Sequence, residues 1–177
     1  DLTEHSWTVM RFTEYENEAT GNLEWLIRKD GCMHCEDPGC LKACPSPGAI
    51  VQYSNGIVDF QQDQCVGCGY CVQACPYDAR FINHETQTAD KCTFCEHRLE
   101  VGLLPACVES CVGGARVIGD MNDETSTISQ LLKEHKEEIR VLKPGMNTSP
   151  HVFYIGLPDE FVDGVDGQAS VRLTNQF

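Results

Sequence analysis

Twelve cysteines carry whatever chemistry this 177-residue chain performs, and their spacing sorts them into three groups of four. The most diagnostic group is Cys65, Cys68, Cys71 and Cys75, followed by Pro76, in the run CVGCGYCVQACP. Three thiols from one tight loop suit three corners of a cubane iron–sulfur cluster, while the fourth, on a short helix, points away toward a second cluster. Gly67 and Gly69 let the backbone turn sharply and approach the sulfurs, where a Cβ would clash. Pro76 stops the run from continuing as helix. Upstream, CMHCEDPGCLKACP supplies Cys32, Cys35, Cys40 and Cys44, with Asp37-Pro38-Gly39 as a turn in the longer gap. Exchange of fourth ligands assigns one cluster to Cys32, Cys35, Cys40 and Cys75, and the other to Cys65, Cys68, Cys71 and Cys44. Cys92, Cys95, Cys107 and Cys111 form a third group, C-x2-C-x11-C-x3-C, whose spacing is less diagnostic. All twelve are candidate metal ligands.

Composition narrows the class. Cysteine makes up about 7% of the chain, short of a disulfide scaffold, and repeated C-x2-C pairs have metal-ligand spacing. Zinc is the rival metal, because C-x2-C pairs also build zinc ribbons. A zinc ribbon, however, does not call for three closely spaced cysteines and a closing Cys-Pro. The net charge of −14 weighs against nucleic-acid binding and suits solubility or docking to a basic partner surface. No apolar run of about eighteen residues is present, so no membrane span is expected. The chain opens at Asp1 without a signal peptide, which suggests processing or truncation. His5, His34, His84, His97, His135 and His151 are scattered, and no separate catalytic constellation stands out.

The elements that must position the cysteines are short. Ser6–Tyr15 and Leu23–Arg28 read as a hairpin around a polar turn, with Trp7 and Trp25 as core or lid residues. Ala49–Tyr53 and Ile57–Phe60 flank Ser54-Asn55-Gly56, a strong hairpin signal. A further turn near Glu85-Thr86-Gln87 follows Arg80-Phe81-Ile82. Cysteine group, Cys-Pro and hairpin therefore occur twice, an internal repeat of about 30 residues. A short helix and a break at Gly102 are expected between Cys95 and Cys107, and a strand over Ala115–Ile118. Ser126 is the expected N-cap of a helix over Ile128–Ile139, ended by Lys143-Pro144-Gly145. His151–Ile155 reads as a last strand, and the acidic tail to Phe177 as irregular, loose or laid along a partner.

The expected fold is α+β: a ferredoxin-like, pseudo-symmetric 4Fe-4S cluster domain of short hairpins and helices, with little regular structure and a peripheral C-terminal helix and strand. Its segments are an N-terminal hairpin at 1–31, a dicluster core at 32–91, the third cysteine group at 92–119 and a C-terminal part at 120–177. Metal ligation contributes folding energy in such a domain.

These motifs resemble the iron–sulfur subunits of molybdopterin oxidoreductases. From Ser6 to Phe60, SWTVMRF, LEWLIRKDGCMHCEDPGCLKACPS and NGIVDF are similar to the formate dehydrogenase beta subunit. From Cys65 to about Leu157, CPYDARFINHETQTADKCTFC, HRLEVGLLPACVESCVGGAR and VLKPGMNTSPHVFYIGL are similar to the tetrathionate reductase electron-transfer subunit. The resemblance implies a wire of four 4Fe-4S clusters between a molybdenum or tungsten catalytic subunit and a quinone-reactive membrane subunit. It also implies an assembly on the periplasmic side of the cytoplasmic membrane.

Two departures bear on that expectation. The family carries a further cysteine group before the Ser6 region, which exchanges ligands with the group at Cys92. No cysteine precedes Cys32 here, and Val112 follows Cys111 where the formate dehydrogenase pattern has proline. Either an N-terminal segment has been lost or Cys111 closes a third cluster locally; loss is the favoured origin. The family's C-terminal membrane helix is also missing from this sequence, which points to a peripheral wire.

The function expected is therefore single-electron relay through two 4Fe-4S clusters, with a third at the Cys92 group if Cys111 closes it. Two rival readings stay open: a structural metal-binding interaction module, and a free polyferredoxin. Lys91 beside Cys92 and His34 in the first loop are expected to be solvated or packing side chains, the alternative being charge or donors placed near a cluster. Tyr70 and Tyr77 are expected to pack against the second group.

Overall fold

The structure, a computed structural model, describes residues 6–163. His5 and the acidic tail from residue 164 lie outside the described residues.

Branched and aromatic residues form the longest hairpin, β1 (Thr8–Glu16) against β2 (Leu23–Gly31), in antiparallel register from Thr8–Gly31 to Glu16–Leu23. Its turn is closed by the Asn22 carbonyl accepting from Asn17 N–H at 2.8 Å and the Asn17 carbonyl accepting from Gly21 N–H at 2.7 Å. Three further antiparallel pairs follow: β3 (Ile50–Gln52) with β4 (Val58–Phe60), β5 (Phe81–Asn83) with β6 (Thr88–Asp90), and β7 (Ile139–Arg140) with β8 (Tyr154–Ile155). Four helices hold only four residues each: α1 (Gly39–Lys42), α2 (Tyr70–Gln73), α3 (Glu96–Leu99) and α4 (Ala106–Glu109). The last, α5 (Thr127–Glu134), is capped by the Ser126 hydroxyl, which accepts from Ser129 N–H at 3.3 Å.

Several expected elements are shorter or absent. Ala115–Ile118 is not a strand; its backbone joins no ladder among the described residues. Instead Arg116 reaches back to the Cys107 carbonyl at 3.4 Å and the Met10 sulfur at 3.0 Å. The helix ends at Glu134 rather than Ile139, because Ile139 is drawn into the β7–β8 ladder opposite Ile155. The last strand begins at Tyr154 rather than His151, since His151 N–H donates to the Met33 carbonyl of the first cysteine loop at 3.0 Å. Trp7 and Trp25 are not core residues: they are 42% and 60% exposed, Trp7 just before β1 and Trp25 on the open face of the hairpin.

Two small cores replace one large one. Met33, Tyr77, Leu142, Leu157 and Val162 pack together, drawing in Leu26, Cys35 and Cys75 at their edge. Ile50, Val58, Cys71 and Ala89 form the second, edged by Cys40, Cys44 and Cys65. The chain beyond α5 braces the first cysteine loop, with Glu36 N–H donating to the Ser149 carbonyl at 2.8 Å and Asp37 N–H to that of Thr148 at 3.0 Å. Arg28 and Arg11 both pair with Asp30, and Arg28 also donates to the Phe161 carbonyl at 2.9 Å.

Lys91 is not solvated. It is 0% exposed, and its Nζ donates to the carbonyls of Val58 and of Cys92, the latter at 2.7 Å. The side chain thus ties β4 to the start of the third cysteine group. Lys91→Met keeps the apolar stem but leaves both carbonyls without their donor. It should lower stability by about 2–4 kcal/mol in anaerobic thermal unfolding; a value within about 0.5 kcal/mol of the parent would mean that water replaces the ammonium.

Gly67 and Gly69 both have positive φ, +67° and +76°, but different surroundings. A Cβ on Gly67 would lie 2.3 Å from the Gln87 carbonyl oxygen, whereas one on Gly69 meets nothing within 4 Å. Gly69→Ala therefore carries only the left-handed cost, about 1 kcal/mol. Gly67→Ala adds a backbone clash and should cost about 3 kcal/mol. Equal losses in the same unfolding measurement would exclude the clash.

Candidate iron–sulfur centres

The three cysteine groups share one local construction. Each C-x2-C pair places a residue of positive φ just before its second cysteine: His34 at 44°, Gly67 at 67° and Phe94 at 60°. A left-handed residue there reverses the chain and turns both thiols to the inside of the loop. Each C-x3-C pair puts its first cysteine at the second position of a four-residue helix, Cys40 in α1, Cys71 in α2 and Cys107 in α4. The second cysteine follows the helix end, where Cys44, Cys75 and Cys111 donate N–H to the carbonyls of Leu41, Val72 and Val108 at 3.2, 3.3 and 3.1 Å. In the first two groups the paired thiols, Cys40 with Cys44 and Cys71 with Cys75, end in different cavities.

Two small, partly open cavities result. Cys32, Cys35, Cys40 and Cys75 line one, together with His34 and Thr148. Cys44, Cys65, Cys68 and Cys71 line the other. Neither cavity is lined by Cys92, Cys95, Cys107 or Cys111. Cys92 nevertheless lies near the first cavity, close enough for Cys32 to act on its ionisation. Among the described residues, no three Cys, His, Asp or Glu side chains converge as closely as one metal ion requires. Three thiols from one tight loop with a fourth brought in from the other cysteine group suit a multi-atom cluster.

The electrostatics follow from the crowding. Burial pushes the Cys35 thiol up to about 11, with Cys32, Cys75 and Cys40 adding to the shift and the Thr148 hydroxyl opposing it. Burial likewise raises Cys71, opposed by Arg80 and reinforced by Cys40, Cys65 and Cys44. Cys75 is raised by burial while the amides of Ala79 and Tyr77 oppose. Thiols held this way give up protons only to a strong cationic replacement, so metal loading releases protons. Backbone amides already point at sulfur: Ala89 N–H donates to Cys65 Sγ and Phe94 N–H to Cys92 Sγ, both at 3.4 Å. Such donors are how a protein adjusts thiolate-ligated clusters.

Of the flanking residues, His34 brings no positive charge. Burial, with Lys91 and Lys29 reinforcing, lowers its pKa to about 2. Its Nδ1 accepts from Val58 N–H at 3.2 Å, which leaves the proton on Nε2. The ring stands edge-on to Phe94 at 4.9 Å, bridging the first cavity to the loop of the third group. Tyr77 is buried and shares a 2.5 Å hydrogen bond with Thr148, whereas Tyr70 is exposed rather than packed on the second group. Sequence reasoning missed Arg80 and Thr148. Arg80 lines both cavities at once. Its one signal in the sequence was a cation five residues past Cys75, at the head of an apolar strand. Thr148 sits 73 residues past Cys75, and nothing local marks it.

Residues 23–121 match the family model of the 4Fe-4S dicluster domain. The chain is 63% identical over 166 residues to a tetrathionate reductase subunit of Salmonella typhimurium, covering 94% of this chain and 66% of that protein. It is 51% identical over 159 residues to the iron–sulfur subunit of the nitrate-inducible formate dehydrogenase of Escherichia coli, covering 88% of this chain and 53% of that one. Protein NrfC of Escherichia coli is 40% identical over 151 residues, covering 83% of this chain and 67% of that protein. The chain thus spans between about half and two thirds of the length of these relatives. With the match running through all three cysteine groups, the chain belongs to the 4Fe-4S dicluster domain family.

Proposed function

We propose that this chain is an electron-transfer subunit that relays single electrons between a molybdopterin catalytic subunit and a quinone-linked or other redox partner. The observation that carries this reading is the gathering of Cys75 with Cys32, Cys35 and Cys40, and of Cys44 with Cys65, Cys68 and Cys71, around two neighbouring cavities. In this reading each quartet holds one 4Fe-4S cluster, which when bound supplies one-electron chemistry. The loops fix the sulfurs, the amides of Ala89 and Phe94 donate to them, and the two small cores limit water around the sites.

The dicluster core spans 32–91 as two halves related by pseudo-symmetry, each made of a cysteine group and a hairpin. The N-terminal hairpin at 1–31, the third group at 92–119 and the C-terminal part at 120–177 are appended to it. Cys92, Cys95 and Cys107 repeat the local geometry of the first two groups, which supports a further cluster there, next in line after the first cavity. The electron path then runs from the Cys65 quartet through the Cys32 quartet to the Cys92 group. The relatives named as subunits of tetrathionate reductase and formate dehydrogenase support a catalytic partner of that class, and the higher identity to the former favours the tetrathionate type. Among the described residues no helix is long and apolar enough to cross a membrane. We place the assembly on the periplasmic side of the cytoplasmic membrane, from the family resemblance.

Iron and acid-labile sulfide on anaerobically prepared chain test the reading, with the EPR spectrum of the reduced protein. About eight irons are expected from two quartets, and about twelve if Cys111 closes a third cluster within the chain. Cys44→Ser should alter the signal of the Cys65 quartet and spare that of the Cys32 quartet. Stoichiometric zinc without iron would exclude electron relay.

A further inference from the structure

Arg80 has a placement that the ligand sets alone do not explain. It is 3% exposed, and it lines both cysteine cavities. Among the described residues no oxygen accepts a hydrogen bond from its Nε, Nη1 or Nη2, and the one side chain near enough to serve is the Cys40 thiol, a weak acceptor. A guanidinium carries five N–H donors and keeps its charge at any ordinary pH, so burying it without acceptors is strongly unfavourable. Among the described residues no carboxylate pairs with it, in contrast to Arg28 and Arg11, which both pair with Asp30. What lines the cavities beside it is sulfur: Cys32 and Cys40 on one side and Cys71 on the other.

The second buried cation near the sites is differently used. Lys91 spends its donors on the Val58 and Cys92 carbonyls, so its ammonium is satisfied by protein oxygen. Arg80 faces acceptors that only the occupied sites provide. A planar fork can present N–H groups in two directions at once, which a point-like ammonium cannot.

We propose that Arg80 is the shared N–H donor of the two centres: one guanidinium between the quartets donates to the cluster sulfurs on both sides and holds both reduction potentials up together. The inference rests on the cluster reading given above. A cation and N–H donors beside an anionic cluster favour its more negative, reduced form, so their removal lowers the potential. Because the donor is shared, the two potentials move as a pair.

The test is an EPR-monitored redox titration of the full chain as Arg80, R80Q and R80K, each with its iron content measured first. At equal iron, R80Q should shift both midpoints to more negative values. R80K should hold one midpoint near the parent value and let the other fall, since a single ammonium serves one side. Unmoved midpoints in R80Q, or a shift confined to one, would overturn the proposal while leaving the electron-relay reading intact. Lack of iron in the parent chain would overturn that reading instead. Should R80Q fail to hold iron, pulsed EPR on the reduced parent chain labelled with 15N in its arginine guanidinium groups decides. Couplings to 15N on both cluster signals are expected, and their absence from either would overturn the proposal.

Discussion

The rest of this structure depends on drawing cysteine sulfurs from distant points of the chain to common centres. Cys75 reaches a cavity whose other three cysteines lie more than thirty residues upstream, and Cys44 one whose others lie more than twenty residues downstream. Such closure costs chain entropy that a small apolar core cannot offset alone. Metal ligation supplies the remainder in domains of this kind. The modest size of the two cores, five and four buried residues, follows from that division of labour.

The same constraint explains why regular structure is so short. A helix of four residues carries one thiol and ends just before the next, which in the first two groups lines the other cavity. The hairpins between cysteine groups return the chain with few residues, and they supply Ile50 and Ala89 to the wall around the second quartet and Val58 to that around the first. Strain is confined to the loops, where His34 and Phe94 accept the left-handed conformation that glycine takes at position 67. A non-glycine residue holds that conformation only when its surroundings insist on it. For His34 and Phe94 the edge-to-face contact between the two rings supplies part of that insistence.

Charge is arranged with the same economy. The chain is strongly acidic overall, with a net charge of −14, yet its buried cations, Arg28, Arg80 and Lys91, lie along the cysteine-bearing core. Arg28 is neutralised by Asp30 and Lys91 by carbonyl oxygen. Acidic residues at the surface and cations inside is the distribution expected when anionic centres are kept within a protein that must stay soluble.

Much was legible in the sequence because the signals are local. Cysteine spacing, Cys-Pro closures and turn residues such as Asn55-Gly56 depend on a few neighbouring residues, so the class of cofactor and the first three hairpins could be read from order alone. Where the reading failed, a distant segment decided. Ile139 left its helical pattern for a two-residue ladder with Ile155, and His151 gave its N–H to Met33 instead of extending a strand. Trp25 has the composition of a core residue but sits on the open face of a two-stranded hairpin, and period-two alternation cannot say which face is covered. In the sequence Lys91 reads as either a solvated or a packing side chain and Arg80 has no role; only packing shows that both are buried, one satisfied and one facing sulfur. Spacing determined which residues could bind metal, because ligation begins with local backbone geometry. Tertiary structure decided which sulfurs share a cavity and which charges lie between them, because those neighbours are brought together only when the chain closes on itself.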